Sequence, residues 1–508
     1  MACHDVGMPG TANKLDAADL PRDVETCHEM IAGLVERLDQ VEHRLQLLLR
    51  QRFGQSAERV DRAQLELFAK EILDPKGKAE APDDDDATVV REHRRNGRRK
   101  LGRDLPRIRI EHDIPESERA CSACGEMRTR IGEEISEQLE YEPAQMHVIE
   151  HARLKYVCKA CEGNIAIADK PRQPIEKCLA GPGLLAQVIV NKYSDHQPLH
   201  RLEKILKRNG VDLQRSTMCD WMAGCAAALK PLQDLMRRRV LKSAVIHTDD
   251  TPVPVQEKGR GSTRQGRFWV YVGDRDNRYA VFDCTADRTA TGPQGWLKGY
   301  EGYLQADAYA GYQALYDTGL VHEVACWAHA RRKFYDARTT NPGVCLQAIA
   351  QIRTLYDIER DARERKLDPD QILALRQERA VPLLEQFRRW MNEQDVLPKS
   401  PTGAAIEYAR SRWDAFTRYT ATGILAIDNN PAENALRRVA LGRKNWLFAG
   451  SDKGGRTAAT LFTLIASAAL HDLDPYRWLR DALARIADTP INQLDELLPD
   501  RWAAGRKD

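Results

Sequence analysis

Acidic residues stand at three places where the patterning of the chain changes abruptly. Asp249 and Asp250 end the mostly apolar run Ala244-Val245-Ile246-His247-Thr248, Asp307 closes Gly302-Tyr303-Leu304-Gln305-Ala306, and Glu433 follows Asp428-Asn429-Asn430-Pro431-Ala432. Carboxylates that converge from separate elements hold divalent cations. Two such ions about 3.5–4 Å apart activate an attacking oxygen and stabilise the leaving one in phosphoryl transfer. Magnesium, or manganese in its place, suits an all-oxygen set because it keeps some waters and accepts substrate phosphates as ligands. Each acid also has a plainer alternative. Asp249 can simply end a strand, and Asp250 can be the inward residue instead, since neighbours on a strand face opposite sides. Asp307 can cap a following helix. Glu433 becomes the third residue of a helix if Asn430 caps it and Pro431 opens it, which is a capping-box position.

Convergence requires a particular set of elements. Short apolar runs bounded by turn residues read as buried strands. The run from Ala244 is the first; Phe268–Val272 and Tyr279–Phe282, around the turn-rich Gly273–Arg278, form a hairpin beside it. A short helix from Pro293 to about Lys298 leads to the strand ending at Asp307, and Val321–Ala325 is a fifth strand. A strand reached through a helix lies parallel to its predecessor with a right-handed crossover. Asp249 and Asp307 then share the carboxyl end of adjacent parallel strands, where open α/β sheets place their sites, with Glu433 on a helix packed across that end. This is the layout of a ribonuclease-H-like nucleotidyl-transferase core, expected over 240–340 and 421–472. The stretch 341–420 between them, with Ile352, Leu355, Ile358, Leu384, Phe387 and Trp390, reads as a helical insertion that either clamps DNA or buttresses the core. Thr460–Leu470 reads as a closing helix, and 473–508 as a C-terminal helix opened by Pro475 with a tail of unclear purpose.

Ahead of the core come regions of different composition. In 1–78, Cys27, Ile31, Leu34, Leu38, Val41, Leu45 and Leu48 alternate steps of four and three, the seam of a coiled-coil multimer or of an internal helical hairpin. The 79–104 linker is acidic and then basic, from Arg91 to Arg103: a solvated tether or an arm tracking phosphates. Within 105–175, Cys121-Ser122-Ala123-Cys124 and Cys158-Lys159-Ala160-Cys161 offer four thiolates for a structural zinc ribbon. In 180–235, the turn Asn209–Asp212 separates two helices in a helix-turn-helix pattern, with Ser216 as cap and Arg215, Ser216 and Thr217 at the exposed start of a recognition helix. Helical hairpins that never touch DNA share this pattern.

Past Asp307, the segment Cys326-Trp327-Ala328-His329 is too small for a zinc site on its own. Trp327 with a hydrogen-bonded His329 reads as structural packing, the alternative for His329 being an assisting group that orients a phosphate or water, and Arg331, Arg332 and Lys333 read as a basic cluster facing the DNA backbone. One turn beyond Glu433, Arg437 either assists by neutralising phosphate or pairs with Glu433; Arg443 and Lys444 extend the basic run.

Five blocks resemble the motifs of bacterial transposases of the insertion sequence 66 family, in the family's order over nearly the whole chain. They are His247–Pro252, Gln305–Tyr312, Cys326–Phe334, Asp428–Arg437 and Leu441–Ser451. The resemblance implies a DDE transposase with Asp249, Asp307 and Glu433 as its acids, and Asp250 stands where the family pattern has Glu. It implies double-stranded DNA partners, namely the element's terminal inverted repeats and the target. A homo-oligomer holding both ends together and accessory proteins of the same element are also implied.

Composition sets the remaining bounds. The 508 residues suffice for several domains, together a multidomain α+β protein. No apolar run reaches the roughly 18 residues of a membrane span and no signal peptide opens the chain, so a bacterial cytoplasmic protein, on the nucleoid when bound to DNA, is expected. The net charge of +2 says little, because 77 basic and 75 acidic residues can segregate into local patches.

Overall fold

The computed structural model describes residues 146–156, 166–167, 169, 171–257, 259 and 261–505. The coiled-coil seam, the 79–104 linker and the four ribbon cysteines lie outside the described residues. A two-residue antiparallel ladder, Lys155–Tyr156 with Ala166–Ile167, is described in the ribbon region. Residues 146–152 belong to a separate unit and run as exposed chain without regular structure; everything below concerns the unit that includes 153–505.

Among the described residues four helices precede the sheet: α1 (Pro182–Tyr193), α2 (Leu199–Arg208), α3 (Arg215–Ala228) and α4 (Lys230–Val240). Helix α2 buries Leu199, Leu202 and Leu206, spaced to fall on one face, and keeps its cations outside. It stops at Asn209 because Gly210 takes φ +82°, a left-handed turn that a side chain disfavours. Helix α3 starts at Arg215 with Gln214 before it, so Ser216 is its second residue and not its cap. The apolar faces of these helices join the same hydrophobic cluster as the hairpin strands that follow.

The sheet has the order β3-β2-β1-β4-β5, with β1 (Val245–Val255), β2 (Arg264–Val272), β3 (Ala280–Thr285), β4 (Gly302–Ala306) and β5 (Val321–Ala325). Strands β1, β2 and β3 pair antiparallel, while β4 runs parallel to β1 and β5 parallel to β4. Helix α5 (Thr291–Trp296) crosses from β3 to β4, as the parallel arrangement demands. One feature differs from expectation: β1 does not end at the acids but continues to Val255. Its partner β2 extends equally far, pairing Val255 with Arg264, whereas β4 pairs with β1 only over Val245–His247. Pro252 and Pro254 fall in this extension. Lacking N–H donors, they are tolerated because the side that β4 has vacated is bordered by the chain near Ala449, which donates to the Pro254 carbonyl at 2.9 Å.

Strand β3 is one edge of the sheet, and a helix covers it. Helix α13 (Asp452–Leu470) lies against β3, and its Thr463 and Ser467 hydroxyls accept from the N–H groups of Phe282 (2.9 Å) and Ala280 (3.2 Å). Gln233 of α4 donates to the Phe282 carbonyl at 3.0 Å. The edge that would otherwise template another strand is thereby satisfied from within. Helix α14 (Pro475–Arg485) and the final α15 (Pro499–Ala504) close this side. Trp478 donates to the Leu497 carbonyl at 3.0 Å and Tyr279 to Asp500 at 2.6 Å, which gives the C-terminal tail a structural purpose.

Between α6 (Trp327–Ala337) and α12 (Asn430–Trp446) the described elements are all helical, led by α7 (Pro342–Glu364), α8 (Pro369–Leu375), α9 (Val381–Asn392), α10 (Pro401–Arg410) and α11 (Trp413–Thr417). They build a second hydrophobic cluster around the fully buried Trp327, whose ring meets Phe387, Trp413 and Phe416. Arg376 staples this cluster to the segment that leads into α12. Its guanidinium takes both Glu359 oxygens (2.8 and 2.7 Å) and donates to the carbonyls of Tyr419 (2.8 Å), Thr422 (2.7 Å) and Leu425 (2.9 Å). All five donors are thus used by a side chain 2% exposed. Removing it strands Glu359 and three carbonyls. Arg376→Ala is expected to lower unfolding free energy by about 3–5 kcal/mol in a denaturant titration, with no recovery in Arg376→Lys, which cannot reproduce the planar fork.

Candidate active site

The parallel pairing of β1 with β4 matches Val245 to Tyr303, Ile246 to Leu304 and His247 to Gln305. Carried two residues further, the same offset sets Asp249 level with Asp307, just past the last paired residues. Carboxylate oxygens from Asp249, Asp250 and Asp307 all lie within 4.8 Å of one another. The two expected strand acids are therefore brought together, and Asp250 comes with them.

Glu433 arrives from the other side, in the first turn of α12. That helix begins at Asn430 with Asn429 in the cap position and no side-chain cap bond, so Glu433 is its fourth residue and not part of a capping box. Its Oε1 lies 3.9 Å from His329 Nε2, and single ligand atoms of Cys326, His329 and Glu433 fall within 4.8 Å of one another. The expected triad is thus held as two adjoining groups. They share one field, since Glu433 is among the charges that raise the pKa of Asp249.

The acids differ sharply in their surroundings. Burial pushes Asp249 up to about 7; the Asp250 N–H, donating to it at 2.7 Å, opposes this, while Asp307, Asp250 and Glu433 reinforce it. Asp250 has a side chain only 2% exposed, with Arg267 at 2.8 Å on one oxygen and Arg288 Nε at 2.9 Å on the other. Burial still raises its pKa, with the two guanidiniums working against that rise. Arg288 also reaches Asp307 at 3.1 Å and lies over the Tyr309 ring at 4.5 Å. Asp307 accepts from the Tyr309 N–H at 3.2 Å, which makes it a turn former and not the cap of a long helix. Among the described residues no cation pairs with Asp249. Of the two neighbouring acids, only Asp250 is committed to arginines.

The donor chemistry fits a hard divalent ion at Asp249 and Asp307: crowded carboxylate oxygens, one of them desolvated and without a countercharge. The second group fits a soft metal poorly. Burial holds the Cys326 thiol up at about 12, and its sulfur accepts the Asn429 N–H at 3.2 Å, so it presents no thiolate. Glu433 is the hard ligand in that group.

The other singled-out residues divide by exposure. Arg215 and Ser216 are exposed at the start of α3 and Thr217 is half-buried. On α6, Arg332 and Lys333 are exposed and Arg331 half-buried; Arg332 approaches Asp336 at 4.0 Å and Lys333 lies over the Tyr408 ring at 4.6 Å. Lys444 is exposed, but Arg443 is half-buried and donates to the Pro252 carbonyl, so it ties α12 to β1. Arg437 is exposed and forms no ion pair with Glu433. Sequence reasoning missed Arg267, Arg288 and Asn429. The arginines carry no spacing signal, and Asn429 sits beside another asparagine before a proline, where capping is the ordinary reading.

Residues 177–457 match the family model described as Transposase IS66 family. The chain belongs to the IS66 transposase family. Three further models of that family match in order: a Transposase C of IS166 homeodomain over 40–110, the zinc-finger binding domain of transposase IS66 over 118–162, and the IS66 C-terminal element over 463–499. Among curated proteins, the chain is 34% identical over 499 residues to the uncharacterized protein y4hP of Sinorhizobium fredii, covering 91% of this chain and 88% of that protein. It is 33% identical to y4jD of the same organism, covering 79% and 82%. This IS66 member is accordingly a transposase, a DNA-processing enzyme with DNA-binding domains. Its five-stranded mixed sheet and flanking helices fit the core of a DDE transposase. Among the described residues no helix is long and apolar enough to cross a membrane.

The transposase carries its buried carboxyl at a cost in stability. A group whose pKa stands near 7 when folded, against an ordinary 3.8, holds its proton more tightly in the folded chain. Stability contributed by that proton is present below about pH 4 and is lost as pH rises towards 7. Asp249→Asn removes the loss. Without divalent metal, the variant is expected to be more stable than the parent by about 3 kcal/mol at pH 8 and by little at pH 4, measured by urea unfolding.

Proposed function

We propose that this transposase is of the DDE type, with Asp249, Asp307 and Glu433 binding two Mg2+ or Mn2+ ions in a ribonuclease-H-like core. The sheet order β3-β2-β1-β4-β5, antiparallel on one side of β1 and parallel on the other, supports the fold. The observation that carries the reading is the β1–β4 register, which levels Asp249 with Asp307 while Glu433 enters the same field. When bound, the ions lower the pKa of the attacking hydroxyl and neutralise charge on the leaving oxygen.

The chain's own residues do the rest. Asp249 and Asp307 orient the scissile phosphate's surroundings from the sheet. Arg288 and Arg267 hold Asp250 in place and offset part of its charge. His329 keeps the Glu433 carboxylate at the rim of the acids, and exposed Arg437 faces incoming phosphate. In the first displacement, water forms a bond to phosphorus, loses its proton, and the 3′-oxygen leaves, so each element end carries a 3′-hydroxyl and the flank a 5′-phosphate. In the second, that hydroxyl attacks a target phosphodiester and displaces the target's 3′-oxygen. No covalent protein intermediate is needed.

Around this centre, Arg215, Ser216 and Thr217 of α3, the Arg331–Arg332–Lys333 cluster and Lys444 contact DNA. Arg443 acts from within the fold. Cys121, Cys124, Cys158 and Cys161 hold a structural Zn2+, and a second copy of the chain joins at the paired ends.

With DNA carrying the element ends and Mg2+, Asp249→Asn, Asp307→Asn and Glu433→Gln are each expected to lower strand cleavage at least about a thousandfold while end binding persists. Equal cleavage by wild type and Asp249→Asn would rule the assignment out. Cleavage with no covalent donor-to-target product would identify a nuclease, and binding without cleavage a regulator. Native mass spectrometry is expected to find one Zn2+ per wild-type chain and none in the Cys121→Ser/Cys158→Ser variant.

A further inference from the structure

We propose that Asn429 is the positioning residue of the carboxylate site, its buried side chain fixing the helix that carries Glu433 against the strand that carries Asp249. The inference rests on the reading of Asp249, Asp307 and Glu433 as a divalent-metal set.

Asn429 occupies the cap position of α12, where an asparagine ordinarily turns its oxygen onto the helix's own free N–H groups. Here it does not. Its Nδ2 donates to the Thr248 carbonyl at 2.8 Å, and its Oδ1 lies 3.2 Å from His247 Nδ1. Since the amide nitrogen is spent on Thr248, the amide oxygen is the acceptor and His247 Nδ1 is the donor. The turn is tied instead by Asp428, which accepts from the Asn430 backbone at 3.2 Å and its side chain at 2.7 Å. Asp428 thereby frees Asn429 to face inward.

The backbone of Asn429 is equally committed. Its N–H donates to Cys326 Sγ at 3.2 Å, and its carbonyl accepts from Ala432 at 3.1 Å and Glu433 at 3.2 Å. One residue of zero exposure therefore joins three elements distant in sequence: the end of the β1 segment that pairs with β4, the entry to α6, and the first turn of α12. The Thr248 carbonyl belongs to the peptide that leads into Asp249. Two hydrogen bonds, Asn429 Nδ2 to Thr248 and Glu433 N–H to Asn429, span from one acid's backbone to the other's. The same residue anchors Cys326 at the head of the helix carrying His329, so it sets Glu433 relative to both adjoining groups.

A role confined to capping is excluded by the missing cap bond, and one confined to packing needs no donor aimed at Thr248. Residues that orient ligands without touching the metal typically change its affinity 10–100-fold when removed. In the zinc-loaded full chain, Mn2+ binding is read from the free-ion EPR signal, beside cleavage titrated with Mn2+. Asn429→Ala is expected to weaken Mn2+ binding about tenfold or more and to raise the Mn2+ needed for half-maximal cleavage by the same factor. At saturating Mn2+, cleavage recovers most of its rate. Unchanged Mn2+ affinity, with activity falling only in step with the folded fraction, overturns the proposal. If Asn429→Ala does not fold, His247→Ala decides: it removes one bond to Asn429, so a smaller loss of Mn2+ affinity supports the proposal and none overturns it. Mn2+ binding that survives Asp249→Asn would instead sink the underlying metal set, an outcome separate from any result at Asn429.

Discussion

Everything at the site depends on a parallel pairing only three residues long. Val245, Ile246 and His247 of β1 lie beside Tyr303, Leu304 and Gln305 of β4, and this register sets Asp249 level with Asp307. A slip of one residue would turn every side chain of β4 to the opposite face. The register is secured from outside the strands. Gln305 is wholly buried and donates to the Ala426 carbonyl at 2.7 Å, while Tyr300 donates to the carbonyl of Tyr303 at 2.8 Å. Where β4 ends, β1 goes on through Pro252 and Pro254, and the chain near Ala449 borders the vacated side.

The acids concentrate negative charge in a poorly solvated place, and the fold handles the two neighbouring ones in opposite ways. Asp250 is paired with Arg267 and Arg288; Asp249 is left with a single backbone donor and three acidic neighbours. A buried carboxyl without a countercharge is costly unless something positive arrives. The imbalance distinguishes a carboxyl without a countercharge from one held by two guanidiniums.

Glu433 is tied to this arrangement through backbone more than through its own side chain. The insertion from α7 to α11 packs on Trp327, Arg376 staples that cluster to the segment before α12, and Asn429 then locks the start of α12 to β1. The long excursion between the second and third acids is thus tied at its end by two buried polar side chains. His329, reached from the far end of β5, meets the Glu433 carboxylate there.

Strand positions, the hairpin, the crossover to Asp307 and the helical character of 341–420 were legible in the sequence, because periodicity and turn residues act over a few positions. So were the family motifs and the acids within them. What the sequence could not determine was partnership. That β1 runs on past its acids, that Asp250 faces arginines while Asp249 does not, that Asn429 forsakes its helix for Thr248, and that Glu433 rests beside His329 all follow from contacts between residues tens to hundreds of positions apart. Local chemistry decides which elements form; only the packing of those elements decides which charge meets which.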